Sequence, residues 1–412
     1  MLRCDALCAT MARTPDALVA ATADHGLPER YTERSGVDRA ALDEALSVAI
    51  DRVDDTLDEF YDRFPSPSSR DLVYDATDNM DGWTASFWTG LCWLAYEVTG
   101  KRRFRDAAET QLETFERRLN EGNVDTHDLG FLYTLSAVAG HRLSGNERYR
   151  SMALSAADLL ADRFLEAPGL IQAWGDHEAT EESWERGRMI VDTMMNLPLL
   201  FWASEETGDP RYAAIAETHA RTTAQHIVRP DGSTYHTFKC DVENGTPIGG
   251  DTAQGYDADS CWSRGQAWAI YGYAIAGDYA DEGAYARLSA TLANYYLSHL
   301  EDDSVPRWDF DAPAEQDHRD TSAAAIAACG LDELARQLPL ADDRVRGYRN
   351  AARTTLGSLA ENYSTVGTDS NGLLTDGAYD VANGDYDECC IWGDYFYVEG
   401  LVRATEHWSR YW

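Results

Sequence analysis

TGDPRYAAIAETHARTTAQHI, residues 207–227, is the stretch that decides the fold class. A glycine-containing turn and a few charges lead to an aromatic, Tyr212, and from there Ile215, Ala216, His219, Ala220 and Thr223 fall on one face at helical period. That is a packing stripe of an amphipathic helix. The same punctuation recurs as TGKRRF ending at Phe104, SGNERY at Tyr149, DEGAY at Tyr285 and RVRGY at Tyr348. Successive copies lie about 45 to 75 residues apart, a spacing that fits one helical hairpin plus loops of variable length. After Tyr149 the stripe is Met152, Ala153, Ala156 and Leu160.

Working outward, the periodicity predicts twelve helices, over 39–64, 84–99, 102–119, 128–143, 147–164, 186–206, 209–227, 262–276, 281–299, 320–336, 342–362 and 390–407. Twelve helices in repeating hairpins predict an all-α (α/α)6 barrel, with six inner and six outer helices around a central cavity. Strand-like alternation is confined to short pieces such as Ser233–Lys239, read as a loop hairpin near one mouth. Residues 1–38 are read as an N-terminal tail of uncertain order, and 39–412 as a single (α/α)6 domain.

Composition narrows the partners. With 44% hydrophobic and 11% aromatic residues the chain is globular, and its net charge is -36. Only Lys101 and Lys239 are lysines. Dense acid with almost no lysine is expected of a protein kept hydrated at high salt, where screening removes self-repulsion. No basic face exists to displace phosphate counterions, which excludes a nucleic-acid partner. The eight cysteines, Cys4, Cys8, Cys92, Cys240, Cys261, Cys329, Cys389 and Cys390, form no CxxC pair, so neither a zinc site nor a disulfide framework is expected. No apolar run approaches a membrane span and no leader pattern is present, so a cytoplasmic setting is expected.

The chemistry is concentrated elsewhere. In Trp184–Trp202, WERGRMIVDTMMNLPLLFW, the carboxylate of Asp192 stands alone in an apolar run. Such an acid either finds hydrogen-bond partners and is structural, or takes up a proton and becomes competent as a general acid. HDLGF at 127–131 places a second carboxylate, Asp128, at a helix start, where it is either a plain N-cap or a site residue. Loops add Trp83, His236, Gln254, Trp262, Arg264 and Trp268. Indole rings stack on sugars and an arginine grips a carboxylate by a two-pronged contact. Core packing is the competing reading for each aromatic.

The series GWTASFWTG, HDLGFLY, IQAWG, VDTMMNLPLL, YHTF, AQGY, WSRGQAW, YGY and IWGDYFY resembles, in order and interval, the unsaturated glucuronyl hydrolases of glycoside hydrolase family 88. The resemblance runs from about residue 40 to the C-terminus. It implies an (α/α)6 barrel that removes the terminal 4,5-unsaturated uronic acid from oligosaccharides left by polysaccharide lyases. It implies Asp192 as general acid and base, Asp128 as the second essential carboxylate, and Trp83, His236, Gln254, Trp262, Arg264 and Trp268 as pocket residues. No metal is expected, since these carboxylates lack the clustered spacing of a cation loop, and no cofactor is expected either. One departure is Ala253, where similar members carry His, a change that removes a ring and a proton donor from the pocket wall. Unsaturated rhamnogalacturonyl hydrolases, other (α/α)6 glycosidases and a catalytically idle sugar-binding protein are the alternatives. Cys389 and Cys390 acquire no functional reading.

Overall fold

A helix that is apolar around its whole circumference has to be enclosed by others, whereas an amphipathic one lies outside with a single face inward. Both kinds alternate along this chain. The computed structural model describes residues 14–33, 36–176, 180, 183–280 and 283–412. In chain order the helices are α1 (Pro15–Ala21), α2 (Arg39–Thr56), α3 (Ala85–Thr99), α4 (Arg102–Glu121), α5 (Leu129–Tyr133), α6 (Ala139–Ser144) and α7 (Glu147–Asp162). There follow α8 (Leu197–Thr207), α9 (Pro210–His226), α10 (Ser263–Tyr279), α11 (Gly283–Ser298), α12 (Thr321–Gln337), α13 (Arg344–Asn362) and α14 (Ile391–Thr405). A π turn, Thr134–Val138, fuses α5 and α6 into one rod.

The inner helices are α3, α5–α6, α8, α10, α12 and α14. Each touches the next and α14 returns to α3, so the ring closes. Their rings and aliphatic chains fill the middle, with Trp93, Trp268 and Trp392 fully enclosed. The outer helices α2, α4, α7, α9, α11 and α13 complete the (α/α)6 barrel that the hairpin repeat predicts. Three punctuation marks have a direct cause. Gly100, Gly145 and Gly208 end inner helices in the left-handed conformation, and Asn146 and Asp209 then cap the outer helix that follows. RVRGY differs, because Gly347 lies inside α13, where an added Cβ would collide with Leu27. Of DEGAY, Asp281 and Glu282 lie outside the described residues.

Helix α11 is buried on both sides because the segment before α2 covers it. Leu18 and Tyr31 are buried there, Ala23 donates to the Pro230 carbonyl at 2.7 Å, and Arg30 donates to the Leu297 and Leu300 carbonyls at 3.2 and 2.9 Å. Residues 1–13, including Cys4 and Cys8, lie outside the described residues, as do Arg34 and Ser35.

Strands are short: β1 (Phe64–Pro65) pairs with β2 (Ala76–Thr77), and β3 (Phe164–Leu165) with β4 (Leu170–Ile171). A three-stranded antiparallel sheet joins β5 (Arg188–Ile190), β6 (Thr237–Cys240) and β7 (Pro247–Asp251). It corrects the helix expected over 186–206. Gly187 has φ +72°, and a Cβ there would meet the Cys240 carbonyl at 2.3 Å. Ile190 pairs with Thr237, the chain makes a 3-10 turn over Val191–Met195, and only then does α8 begin. The helix expected over 39–64 also stops early, as α2 at Thr56.

Candidate active site

Nearly every residue singled out by the sequence sits at one end of the barrel. Trp83 precedes α3, Asp128 precedes α5, Asp192 lies in the turn before α8, and Trp262 and Arg264 open α10. Asp320 caps α12, and Trp392 lies in the first turn of α14. The N-terminal ends of the inner helices therefore converge on this site, each with its positive end of the helix dipole. In a chain of net charge -36 those helix ends are a local source of positive potential.

Asp192 is held on the turn between the sheet and α8. The Val191 N–H donates to the His236 carbonyl at 3.0 Å, and Asn196 Nδ2 donates to the Asp192 carbonyl at 3.3 Å. The side chain is partly open, but its Oδ1 is enclosed and has no hydrogen-bond partner. An ionised oxygen so placed has lost water and gained nothing. Burial, then the nearby Asp128 carboxylate, push the Asp192 pKa up to about 7, against a partial pull downward from Arg264.

Asp128 does not cap α5 with its side chain, contrary to the simple N-cap reading. Its Oδ2 instead accepts from Thr126 Oγ1 at 2.6 Å, and Oδ1 lies 3.4 Å from His127 Nε2. His127 is buried, its Nδ1 is 2.8 Å from Thr193 Oγ1, and burial lowers its pKa. Asn196 Oδ1 accepts the Phe131 N–H at 2.7 Å. Gly130 allows that approach, since a Cβ on it would stand 2.3 Å from Asn196 Cα. The two carboxylate-bearing segments are thus locked together.

His236 faces them. Its Nδ1 accepts N–H groups from Ala253 at 3.1 Å and Gln254 at 3.2 Å, which assigns the proton to Nε2. Burial, with Arg264 next in weight, lowers its pKa to about 3, so the ring is neutral at pH 7. Nε2 is buried without a partner. It is a donor waiting for an acceptor. Trp262 packs on the ring at 4.4 Å. Ala253 is exposed, and its contribution is the backbone N–H.

Arg264 is fully committed to the protein. It donates to Asp320 Oδ2 at 2.8 Å, to the Ala378 carbonyl at 2.5 Å and to the Tyr379 carbonyl at 2.9 Å, and it lies over Trp262 and Trp392. Gln254 Nε2 donates to the same Tyr379 carbonyl at 3.0 Å, and Trp83 Nε1 to the Tyr379 hydroxyl at 3.4 Å. Trp83 is partly open, whereas Trp268 is sealed behind Phe131 and Phe396 and presents no surface.

Sequence reasoning gave no role to His127, Trp174, Asp320 or Tyr379. Trp174 lies edge-on to His127 and His236, both at 6.4 Å, and stacks on Trp184 at 5.4 Å. Its place in IQAWG is the one signal that could have found it. The Tyr379 carbonyl, which Arg264 and Gln254 both use, is a backbone group that no side-chain pattern reveals. Among the described residues no group of three or more His, Cys, Asp or Glu could hold a metal ion.

This arrangement can deliver and recover a proton at one carboxyl group near neutral pH. Activity is expected to fall on the alkaline side with an apparent pKa of about 7, as Asp192 loses its proton. Asp128→Asn removes one of the two upward pushes, so the alkaline limb of any residual activity shifts to lower pH. A pH–rate profile of both proteins checks this.

A family model, Glycosyl Hydrolase Family 88, matches residues 53–411. The chain is 41% identical over 373 residues to the unsaturated glucuronyl hydrolase of Bacillus sp. (strain GL1), covering 90% of this chain and 98% of that one. It is 40% identical over 396 residues to the unsaturated chondroitin disaccharide hydrolase of Streptococcus pneumoniae, covering 93% and 97%. The crystal structure of unsaturated glucuronyl hydrolase from Streptococcus agalactiae superposes with a TM-score of 0.90 at 36% identity, covering 95% of this chain and 99% of that one.

Proposed function

The chain belongs to glycosyl hydrolase family 88, and on that premise we propose that it removes the non-reducing-end 4,5-unsaturated uronic acid from lyase-generated oligosaccharides by hydrating the enol ether double bond. The observation that carries the reading is Asp192, a carboxyl group whose pKa is raised to about 7 and whose Oδ1 lacks any protein partner.

The protonated Asp192 gives its proton to carbon four of the uronate, and positive charge develops at carbon five and the ring oxygen. Ionised Asp192 then takes a proton from a water whose oxygen bonds to carbon five, so the acid is restored. The hemiketal opens: the bond from carbon five to the ring oxygen breaks, a ketone forms, and the hemiacetal left at carbon one expels the aglycone alcohol. Ordinary glycosidases, by contrast, use two carboxylates at the anomeric carbon. Here the Asp128 carboxylate offsets the developing positive charge, and the neutral His236 donates from Nε2 to a sugar oxygen. Partly open Trp83 supplies an apolar face, buried Trp262 supports the His236 ring from behind, and the converging helix N-termini favour the uronate carboxylate. Arg264 acts through its charge and by holding the 378–379 backbone.

The test is incubation at high salt with an unsaturated disaccharide. Loss of the ultraviolet absorbance of the conjugated double bond is the expected result, while cleavage of saturated glycosides with that absorbance intact would contradict it. We also infer a high-salt, cytoplasmic setting, supported by the charge and by six buried free cysteines among the described residues. Among the described residues no helix is long and apolar enough to cross a membrane.

A further inference from the structure

Between the two carboxylate-bearing segments lies a buried imidazole that the chemistry above does not use. The His127 backbone is pinned on both sides: its N–H donates to the Ala173 carbonyl at 2.8 Å, and its carbonyl accepts the Gly130 N–H at 3.2 Å. The ring is only 1% exposed, with Nδ1 2.8 Å from Thr193 Oγ1 and Nε2 3.4 Å from Asp128 Oδ1. Thr193 follows Asp192 in the chain. One ring thus meets the neighbour of the proton donor on one side and the second carboxylate on the other.

Which nitrogen carries the ring proton follows from Asn196. Its Oδ1 accepts the Phe131 N–H at 2.7 Å, which fixes the amide and makes Nδ2 the donor. That Nδ2 lies 3.5 Å from His127 Nδ1 and also donates to the Asp192 carbonyl at 3.3 Å. Nδ1 faces a donor, so it holds the lone pair, and the Thr193 hydroxyl donates to it. The other side of the ring agrees independently, since a carboxylate oxygen attracts an N–H and repels a ring lone pair. The proton is on Nε2. At 3.4 Å its contact with Asp128 is long for a hydrogen bond and works as a charge–dipole attraction. Thr126 Oγ1 donates to the other oxygen, Oδ2, at 2.6 Å, so each oxygen of Asp128 faces a donor and its orientation is set before substrate arrives. The other titratable groups around the ring are Asp192, beyond Thr193, Arg163, which donates to the Gln172 and Gly175 carbonyls, and His219 and His236, both neutral at pH 7. Burial keeps the His127 ring neutral as well.

We propose that His127 is a positioning residue for the hydration step: with its proton pinned on Nε2 by Thr193 and Asn196, it aims the Asp128 carboxylate at the place where positive charge develops on the sugar. The inference rests on the hydrolase reading above. Two amide substitutions separate the two ring nitrogens. Glutamine puts its amide nitrogen where Nε2 stands, so His127→Gln keeps the donor to Asp128 and loses the acceptor for Thr193. Asparagine puts its amide oxygen where Nδ1 stands, so His127→Asn keeps the acceptor and loses the donor. With an unsaturated disaccharide as substrate, His127→Asn is expected to lower kcat about 100-fold, the scale of a misplacement of about 1 Å, and to leave KM within a few-fold. His127→Gln is expected to keep kcat within about 10-fold of the unsubstituted protein. Equal losses in the two variants, a larger loss in His127→Gln, or losses that follow the melting temperatures would overturn the inference. 15N NMR of the unsubstituted protein gives a second reading, the His127 signals being those that vanish in either variant. A neutral ring protonated on Nε2 is expected at pH 7, and a proton on Nδ1 would overturn the inference alone. No turnover by the unsubstituted protein would overturn the hydrolase reading and this inference with it.

Discussion

Asp192→Asn should reduce turnover on the order of 10⁴-fold while substrate affinity stays within a few-fold, because one proton donor serves both halves of the cycle. The asparagine keeps the shape and the contacts of the turn but has no proton of suitable acidity. The same substitution should change stability in a pH-dependent way. The folded pKa of Asp192 is about 7 against 3.8 for the free group, so between these values the folded chain holds a proton that the unfolded chain has released. Stability conferred on the neutral acid is lost as pH rises through that window, and above it the cost is complete, on the order of a few kcal/mol. Asp192→Asn should therefore raise the melting temperature at pH 8 and leave it nearly unchanged at pH 4. Titrating binding and melting in parallel reads both effects, and an active Asp192→Asn protein would remove the residue from the mechanism.

The second large effect lies at Asp320. Its Oδ1 caps α12 by accepting from the Ser322 N–H at 3.0 Å and the Ala323 N–H at 3.3 Å, and its Oδ2 holds Arg264 at 2.8 Å. Both members of the ion pair are almost fully buried. Asp320→Ala strips a cap and leaves a guanidinium uncompensated in the interior, an expected loss of about 3–5 kcal/mol. Denaturant unfolding measures it. Asp320→Asn, which can still accept at the cap, should lose less.

The sequence made the hairpins legible because left-handed glycines and helix caps are local events that leave a local mark, as at Gly208 and Asp209. Asp192 was legible because an isolated acid among Met, Ile, Val and Leu is costly wherever it lies. Its setting was not, because helical period and an apolar run cannot separate a strand and turn from a helix. The positive φ of Gly187 and the pairing of Ile190 with Thr237 decide it, 47 residues away in sequence. Arg264 looked like a ligand for a carboxylate until its partner, Asp320, came into view 56 residues on. Trp268 belongs to a motif full of site residues yet is core, since its position on α10 turns it toward Phe131 and Phe396. Tyr379 left no mark because its carbonyl is what the site uses.

The central claim is that Asp192 protonates carbon four instead of a leaving oxygen. It is tested most directly by running the reaction in D2O and examining the released uronic acid by NMR while turnover is still in progress. The account predicts one deuteron at carbon four, delivered to a single face. A product first appearing with its double bond intact, or with deuterium spread equally over both faces, would contradict it.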